Sequence, residues 1–533
     1  MYRQQPRQKI GLLLQGLVAV VWTVWWGAGL QCSAAGENLW LDVARSSITN
    51  VELKDHVSVL ADDTLEGREA GTRGGRAAAK YVLRRLEDAQ LRPAGSGGRF
   101  VQPFHGNFQN LLAVLEGSDP ELRDEYVVVG AHYDHVGYGT RRNSYGPIGF
   151  IHNGADDNAS GVATLLEMID ALTHTIYRPR RSILFAFWDA EEKGLLGSQH
   201  WVRQPTVPLE AVRIALNIDM VGRLRKGRVE VGGARSGVGL RRWMSSPRLA
   251  EGMWLDFHWE YKDNSDHWSF FEAGIPSLYV HTGLHEDYHR PSDDVEKLNI
   301  EGMRQVGRYL LEQLCELADA DQLPAFRRSA RLETPQTQRR EEKPLPPLAP
   351  RVGFTWQYLA GHPARVLVKT VRHGTTAAQA GLRVGDQIVA VNGLPITSDT
   401  LLPAVLLRSD SPITLQLNRL GADEPLSVAL PLTGSPVRLG LSWREDAVEP
   451  GSVYVTRVVP YSLAARAGIQ LFDRIDALNG ESFQGQDDLL ARVGALLADD
   501  APTIRFEIES RGKIHEVAVS MQLPSAEPGD PTL

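Results

Sequence analysis

The octet Gly154-Ala155-Asp156-Asp157-Asn158-Ala159-Ser160-Gly161 constrains this chain more than any other stretch. Two adjacent acids stand among small residues, downstream of the apolar run Tyr126–Ala131 and of His132-Tyr133-Asp134-His135. Behind the octet, Val162, Leu165, Leu166, Ile169 and Leu172 recur at spacings of three and four, the period of a helix packed on a core. Carboxylates squeezed between a buried strand and a buried helix are costly unless paired. A divalent cation would neutralise them. Taken alone, the octet reads better as an Asp-rich turn capping a helix from Ser160. The rest of the chain overturns that reading.

From Asn110–Leu115 to about Leu317, short apolar runs alternate with helical patterns, which argues an α/β layer fold around a largely buried sheet. Two helices precede it within Val51–Leu91, and a helix at Ile300–Leu317 closes it. Each strand-like run leads to a candidate functional group. Val127–Ala131 meets His132, Ile183–Trp188 meets Asp189-Ala190-Glu191-Glu192, and Ile214–Ile218 meets Asp219. Ser277–Val280 leads through a loop to Tyr288-His289. Ligands of open α/β sheets gather at the carboxyl ends of strands, so these groups should converge on one crevice.

With Asp156 they supply two imidazoles and several carboxylates, a set that suits two zinc ions sharing a carboxylate. Asp156 is the candidate bridge. In the pair Glu191-Glu192, one carboxylate would ligate and the other would act as general base. Only Cys32 and Cys315 exist, and if an N-terminal signal is removed one remains, so cysteine cannot serve as a paired metal ligand. A net charge of -8 argues against nucleic acid as a partner.

Residues from about Leu111 to Leu298 resemble metallopeptidase family 28, the di-zinc exopeptidases that include bacterial leucyl aminopeptidases. His132-Tyr133-Asp134, the octet, Asp189-Ala190-Glu191-Glu192, Asn217-Ile218-Asp219-Met220 and Asp287-Tyr288-His289-Arg290-Pro291-Ser292-Asp293-Asp294 match its motifs in order. The resemblance implies a three-layer α/β/α domain with a mixed sheet. It implies one zinc on His132 and Asp219, another on Glu192 and His289, and Asp156 between them. Glu191 would be the general base, Asp134 would orient His132, and Tyr288 would polarise the scissile carbonyl. A cis peptide is implied between Asp156 and Asp157. The activity implied is that of an aminopeptidase acting on peptide or protein substrates. Carboxypeptidase and glutaminyl cyclase chemistry are the alternatives on this scaffold, and Arg141 and Arg142 offer cations for a substrate carboxylate. An adaptor without catalysis is the remaining alternative, against which the presence of Glu191 weighs.

Two further regions flank this domain, taken here as 45–320. Arg3, Arg7 and Lys9 precede an apolar stretch from Ile10 to Leu30, followed by Ser33, Ala34 and Ala35. Residues 1–35 therefore read as an export signal, or as an uncleaved anchor, placing the chain in the periplasm or outside the cell with membrane contact only if anchored. Residues 321–350 read as a Pro-rich, partly extended linker between independent cores. Beyond it Arg351-Val352-Gly353-Phe354 recurs as Arg438-Leu439-Gly440-Leu441, and Ala380-Gly381-Leu382 as Ala467-Gly468-Ile469. Asp386 recurs as Asp473 and Val391-Asn392-Gly393 as Leu478-Asn479-Gly480, all in one register without gaps. This is a tandem repeat, 351–433 and 436–522. Both copies resemble PDZ domains, β-rich modules. That resemblance implies C-terminal peptide ligands whose carboxylate meets the backbone at Gly353 and Phe354, or at Gly440 and Leu441. A purely structural role for either copy is the equal alternative.

Overall fold

A computed structural model describes residues 39–361, 364–499 and 501–522. The expected export signal therefore lies outside the described residues, as does Cys32. Among the described residues no helix is long and apolar enough to cross a membrane.

The first unit contains α1 (Leu39–Ser47), α2 (Asn50–Leu60), α3 (Arg73–Asp88), β1 (Arg92–Pro93), β2 (Val101–Phe104), β3 (Phe108–Leu115) and β4 (Tyr126–His132). It continues with α4 (Gly161–Thr173), β5 (Ser182–Trp188), α5 (Leu196–Arg203), β6 (Val212–Ile218), β7 (Arg228–Gly232), α6 (Leu240–Met244), β8 (Trp254–His258), α7 (His267–Glu272), β9 (Ser277–His281) and α8 (Ile300–Asp319). The strands form one sheet in the order β1-β3-β5-β4-β6-β9-β7-β8, with β2 paired to β3. Its centre is parallel, β5-β4-β6-β9, while β3 and β7 join antiparallel, so the sheet is mixed. All seven residues of β5 are buried, the signature of a strand covered on both faces. Helices α4 and α8 pack on one face around Leu165, Leu172, Leu310 and Leu314. On the other face Trp188, Trp201 and Phe270 cluster beneath α5 and α7.

The expected linker is not structureless. Thr334 caps α9 (Pro335–Glu341) through its side chain, with Pro335 at the first helical position where its missing N–H is no loss. The segment is also bound at its end: the Tyr454 hydroxyl donates to the Glu341 carbonyl and the Leu345 N–H to the Thr456 carbonyl.

Two small antiparallel sheets follow. The first holds β10 (Phe354–Leu359), β11 (Arg365–Val371), α10 (Thr376–Gln379), β12 (Gln387–Val391), β13 (Leu394–Pro395), α11 (Leu401–Arg408), β14 (Ile413–Asn418) and β15 (Leu426–Leu430), in the order β10-β11-β12-β14-β15. The second holds β16 (Leu441–Glu445), β17 (Val453–Val458), α12 (Leu463–Arg466), β18 (Arg474–Leu478), α13 (Gly485–Ala498), β19 (Thr503–Ser510) and β20 (Lys513–Ser520), ordered by sequence. Each opens on an edge strand bulged at the same register, between Thr355 and Trp356 and between Ser442 and Trp443.

The expectation of independent cores is corrected by the second small sheet, which docks on α6 and β8. Ser246 N–H donates to Gly512 O and Leu255 N–H to Arg511 O. Arg241 forks onto Glu509 at 2.8 and 3.2 Å, and Arg235 reaches Asp446 at 2.6 Å while lying over the Trp259 ring. Arg241 and Glu509 lie more than two hundred positions apart, so local sequence cannot pair them, and Asp446 meets both Arg235, at a similar separation, and the nearer Arg474.

Candidate metal centre

The parallel strands β4, β5, β6 and β9 end side by side, which brings His132, the 189–192 turn, Asp219 and the loop after β9 together. The octet crosses above them and is clamped at nearly every residue. Gly154 has φ +55, and a Cβ there would lie 2.1 Å from the Asp157 carbonyl oxygen. Asn158 donates to Ile218 O and accepts from Met220 N–H, and a Cβ at Gly161 would strike its side chain. Asp293 accepts from the N–H groups of Asp156 and Asp157 at 3.0 and 3.1 Å.

Between these clamps the backbone at Asp157 is extended, φ -101 and ψ 98, so the two acids face opposite ways. Asp156 turns inward, accepting from Gly222 N–H at 2.6 Å and Ser160 Oγ at 3.0 Å, with His285 Nε2 at 3.2 Å. Asp157 turns toward the strand ends. The expectation that Asp156 is the shared carboxylate is therefore corrected: Asp157 holds that place. The cis peptide is likewise one position later, between Asp157 and Asn158.

Two donor groups meet on Asp157. His132, Asp157 and Asp219 form one, and His135, Asp157, Glu192 and His289 the other, each with its ligand atoms within 4.8 Å of one another. Asp157 Oδ1 lies 3.4 Å from His132 Nε2, and Oδ2 lies 3.1 Å from His289 Nε2. His132 Nε2 is 3.3 Å from Asp219 Oδ1, and His289 Nε2 is 3.2 Å from Glu192 Oε2. His135, not expected as a ligand, contacts Glu192 Oε1 at 2.8 Å through Nδ1. Its signal was its place in the motif at the end of β4.

Asp134 has a broader task than orienting His132. Its backbone carbonyl lies 3.2 Å from His132 Nδ1, and its carboxylate accepts from the Glu191 N–H at 3.0 Å. Tyr288 stacks on the His289 ring at 3.9 Å between centroids. Arg68 was not singled out from sequence. Only 1% exposed, it donates to the carbonyls of Leu60, Tyr133, Asn153, Gly154 and Asp157. Nothing in its local pattern marks it, because all five acceptors are backbone groups. Arg141 and Arg142 are exposed.

Charge is strongly organised. Burial pushes the Glu191 carboxyl well up, and Glu192, Asp266 and Asp219 add to that against the opposing His132. Burial acts the same way on Glu192, but His289 and His135 outweigh it and hold that carboxyl well below its ordinary range. Burial disfavours charge on His289, yet Glu192 and Asp157 raise it to about 11. Adjacent glutamates thus stand in opposite states, one paired with imidazoles and one not. The imidazole and carboxylate donors fit zinc, with one shared carboxylate and terminal N and O donors on each side.

Residues 110–314 match the model of Peptidase family M28, and residues 367–419 that of the PDZ domain. Residues 110–314 are thus similar to a Peptidase family M28 domain. The chain is similar to the aminopeptidase YwaD of Bacillus subtilis, 30% identical over 40% of this chain and 46% of that protein. It also resembles the probable glutamate carboxypeptidase LAMP1 of Arabidopsis thaliana, 31% identical over 26% of this chain and 20% of that protein. The chain thus spans less than half the length of these curated relatives. A zinc aminopeptidase structure from Bacillus subtilis aligns with 52% of this chain and 98% of that one, at 18% identity and a TM-score of 0.41.

At the expected peptide-carboxylate positions, the Gly353 carbonyl accepts from Arg372 N–H and the Gly440 carbonyl from Val459 N–H. A Cβ on Gly353 would lie 2.1 Å from Thr375 Oγ1, and one on Gly440 2.2 Å from Ser462 Cβ. Phe354 is buried and Leu441 half-buried at the starts of their edge strands. A cleft of about 1190 Å³ adjoins the first of these, lined by Phe354, Trp356, Leu406, Pro347, Val458 and Tyr461.

Proposed function

We propose that the chain is a zinc metallopeptidase, an exported exopeptidase acting as an aminopeptidase. The reading rests on one observation: two donor groups share Asp157 while Glu191 stands beside them outside both sets. Bound there, two zinc ions would supply Lewis acidity to the scissile carbonyl and to the attacking water. Asp157 would be the shared carboxylate, with His132 and Asp219 holding one ion and Glu192, His289 and His135 the other. Glu191 takes the proton from water and returns it to the departing amine. Asp134 fixes the Glu191 backbone, and the Tyr288 phenol, kept protonated by burial, remains a donor for the carbonyl oxygen.

The likeness to a probable glutamate carboxypeptidase supports a second reading in which a free substrate carboxylate is bound. Comparing hydrolysis of amino-acid anilides with that of N-blocked peptides separates the two. Cleavage of N-blocked peptides alone would overturn the aminopeptidase reading. Both small sheets are PDZ repeats in this proposal, the second supported by its matching strand order and bulge. The first, with its open cleft, takes the peptide C-terminus.

A further inference from the structure

A third donor cluster lies away from the strand ends, among α2, α3 and α4. His56 Nε2 on α2 stands 3.2 Å from Glu167 Oε1 on α4, and Asp170 follows one turn later on the same helix face. The ligand atoms of His56, Glu167 and Asp170 lie within 4.8 Å of one another. His56 is 6% and Glu167 3% exposed, so neither is a solvated surface charge. The outer ring nitrogen is anchored: His56 Nδ1 is 2.7 Å from the Tyr81 hydroxyl, which fixes the ring with Nε2 toward the carboxylates. Among the described residues no lysine or arginine pairs with Glu167 or Asp170. Arg85 lies over the Tyr81 ring, 5.5 Å from its centroid, and pairs with Asp88 instead, while Glu52 and His174 complete the charged surroundings. A buried carboxylate and a half-buried one therefore face a single imidazole.

We propose that His56, Glu167 and Asp170 bind a third divalent cation, structural in role, which ties α2 to α4. One imidazole and two carboxylates favour zinc or a similar first-row ion over calcium or magnesium, which take oxygen donors alone. With the Nδ1 proton donated to the Tyr81 oxygen, the Nε2 lone pair is free to ligate, and water fills the remaining position. Ligands from two helices, two of them at i and i+3 on one, follow the geometry by which helical proteins build carboxylate–histidine metal sites.

The test counts zinc. Full-length protein is stripped with chelator, titrated with Zn²⁺ alone, separated from free metal and analysed for bound equivalents. His56→Ala and Asp170→Asn should each bind one equivalent fewer than wild type while retaining peptide hydrolysis. Only this difference is read, so the result stands whether the metal centre at Asp157 holds two ions, one or none. Should His56→Ala fail to fold, Asp170→Asn, at a half-exposed position, decides alone. Equal zinc content in wild type and the folded variants would overturn the third site.

Discussion

The Arg68 guanidinium donates to the carbonyl oxygen of Asp157 at 3.3 Å, so a residue far along the chain from the octet supports the shared carboxylate from behind. Four more carbonyls complete its shell. Arg68→Lys keeps the charge but cannot reach all five acceptors, and buried carbonyls left unpaired each cost about 1–3 kcal/mol. We expect folded Arg68→Lys to bind zinc about 10–100-fold more weakly, as for other residues that orient ligands. Competition with a chromophoric chelator measures this, and unchanged affinity would remove the positioning role.

Asp156 and Asp157 should separate cleanly. Asp157→Asn weakens both positions of the metal centre, because both oxygens of that side chain face donor groups. Asp156→Asn loses the acceptor for Gly222 N–H and Ser160 Oγ and shows mainly as lower thermal stability, with zinc largely retained. Elemental analysis of both variants reads the outcome. The reverse pattern would restore Asp156 as the bridge.

Glu191→Gln should leave zinc content and folding nearly intact while kcat falls about 10²–10⁴-fold, the range of general acid–base catalysis. Glu192→Gln should instead lose metal first, since its carboxylate is held by His135 and His289. Activity of Glu191→Gln within a few-fold of wild type would rule Glu191 out as the base.

A chain ending at Ala325 should be unstable. It loses Glu509 and Asp446, leaving Arg241 and Arg235 without their carboxylates on a face built to be covered. Removing one partner of a buried ion pair costs about 3–5 kcal/mol, so Glu509→Ala in the full chain should already lower stability by that order. Urea unfolding of both proteins tests this. A soluble, wild-type-stable 1–325 fragment would refute structural dependence on the second small sheet.

Glu449, at the same interface, carries a pH signature. Burial pushes its carboxyl up to about 7, although Arg474 and Arg241 oppose this. A carboxyl raised in the folded state contributes stability that is complete below its unfolded value near 4.5 and is lost as pH rises through 7. Glu449→Gln should remove this loss, so its stability falls less between pH 4.5 and 8 than wild type's, by about 3 kcal/mol at most. Parallel pH–stability curves for the two proteins would show that the group does not titrate there.

Much of this architecture was legible because apolar runs end where chemistry begins. β4, β5, β6 and β9 could be read with their functional ends, since buried parallel strands are short and continuous in composition. The two acids of the octet could not be told apart, because adjacent residues in a turn carry no periodicity and only the extended backbone at Asp157 decides which one faces the imidazoles. Helix α9 was missed inside a Pro-rich stretch although Thr334-Pro335 is a helix-start signal. Arg68 and the Arg241–Glu509 pair were invisible for another reason. Their partners are set by tertiary packing across long separations, which no local pattern encodes.

The docking of the second small sheet also changes what a break in the chain would do. The polypeptide leaves the first unit near Ala325, passes through α9 and the first small sheet, and returns to α6 and β8 with the second. The first small sheet thus hangs as a loop held at both ends, not as a bead on a free string. Nicking the backbone once between Glu342 and Pro350 would open that loop without releasing anything, because Ser246–Gly512 and Arg241–Glu509 still hold the far end. A protease attacking the most proline-rich segment would leave a two-piece assembly that stays together.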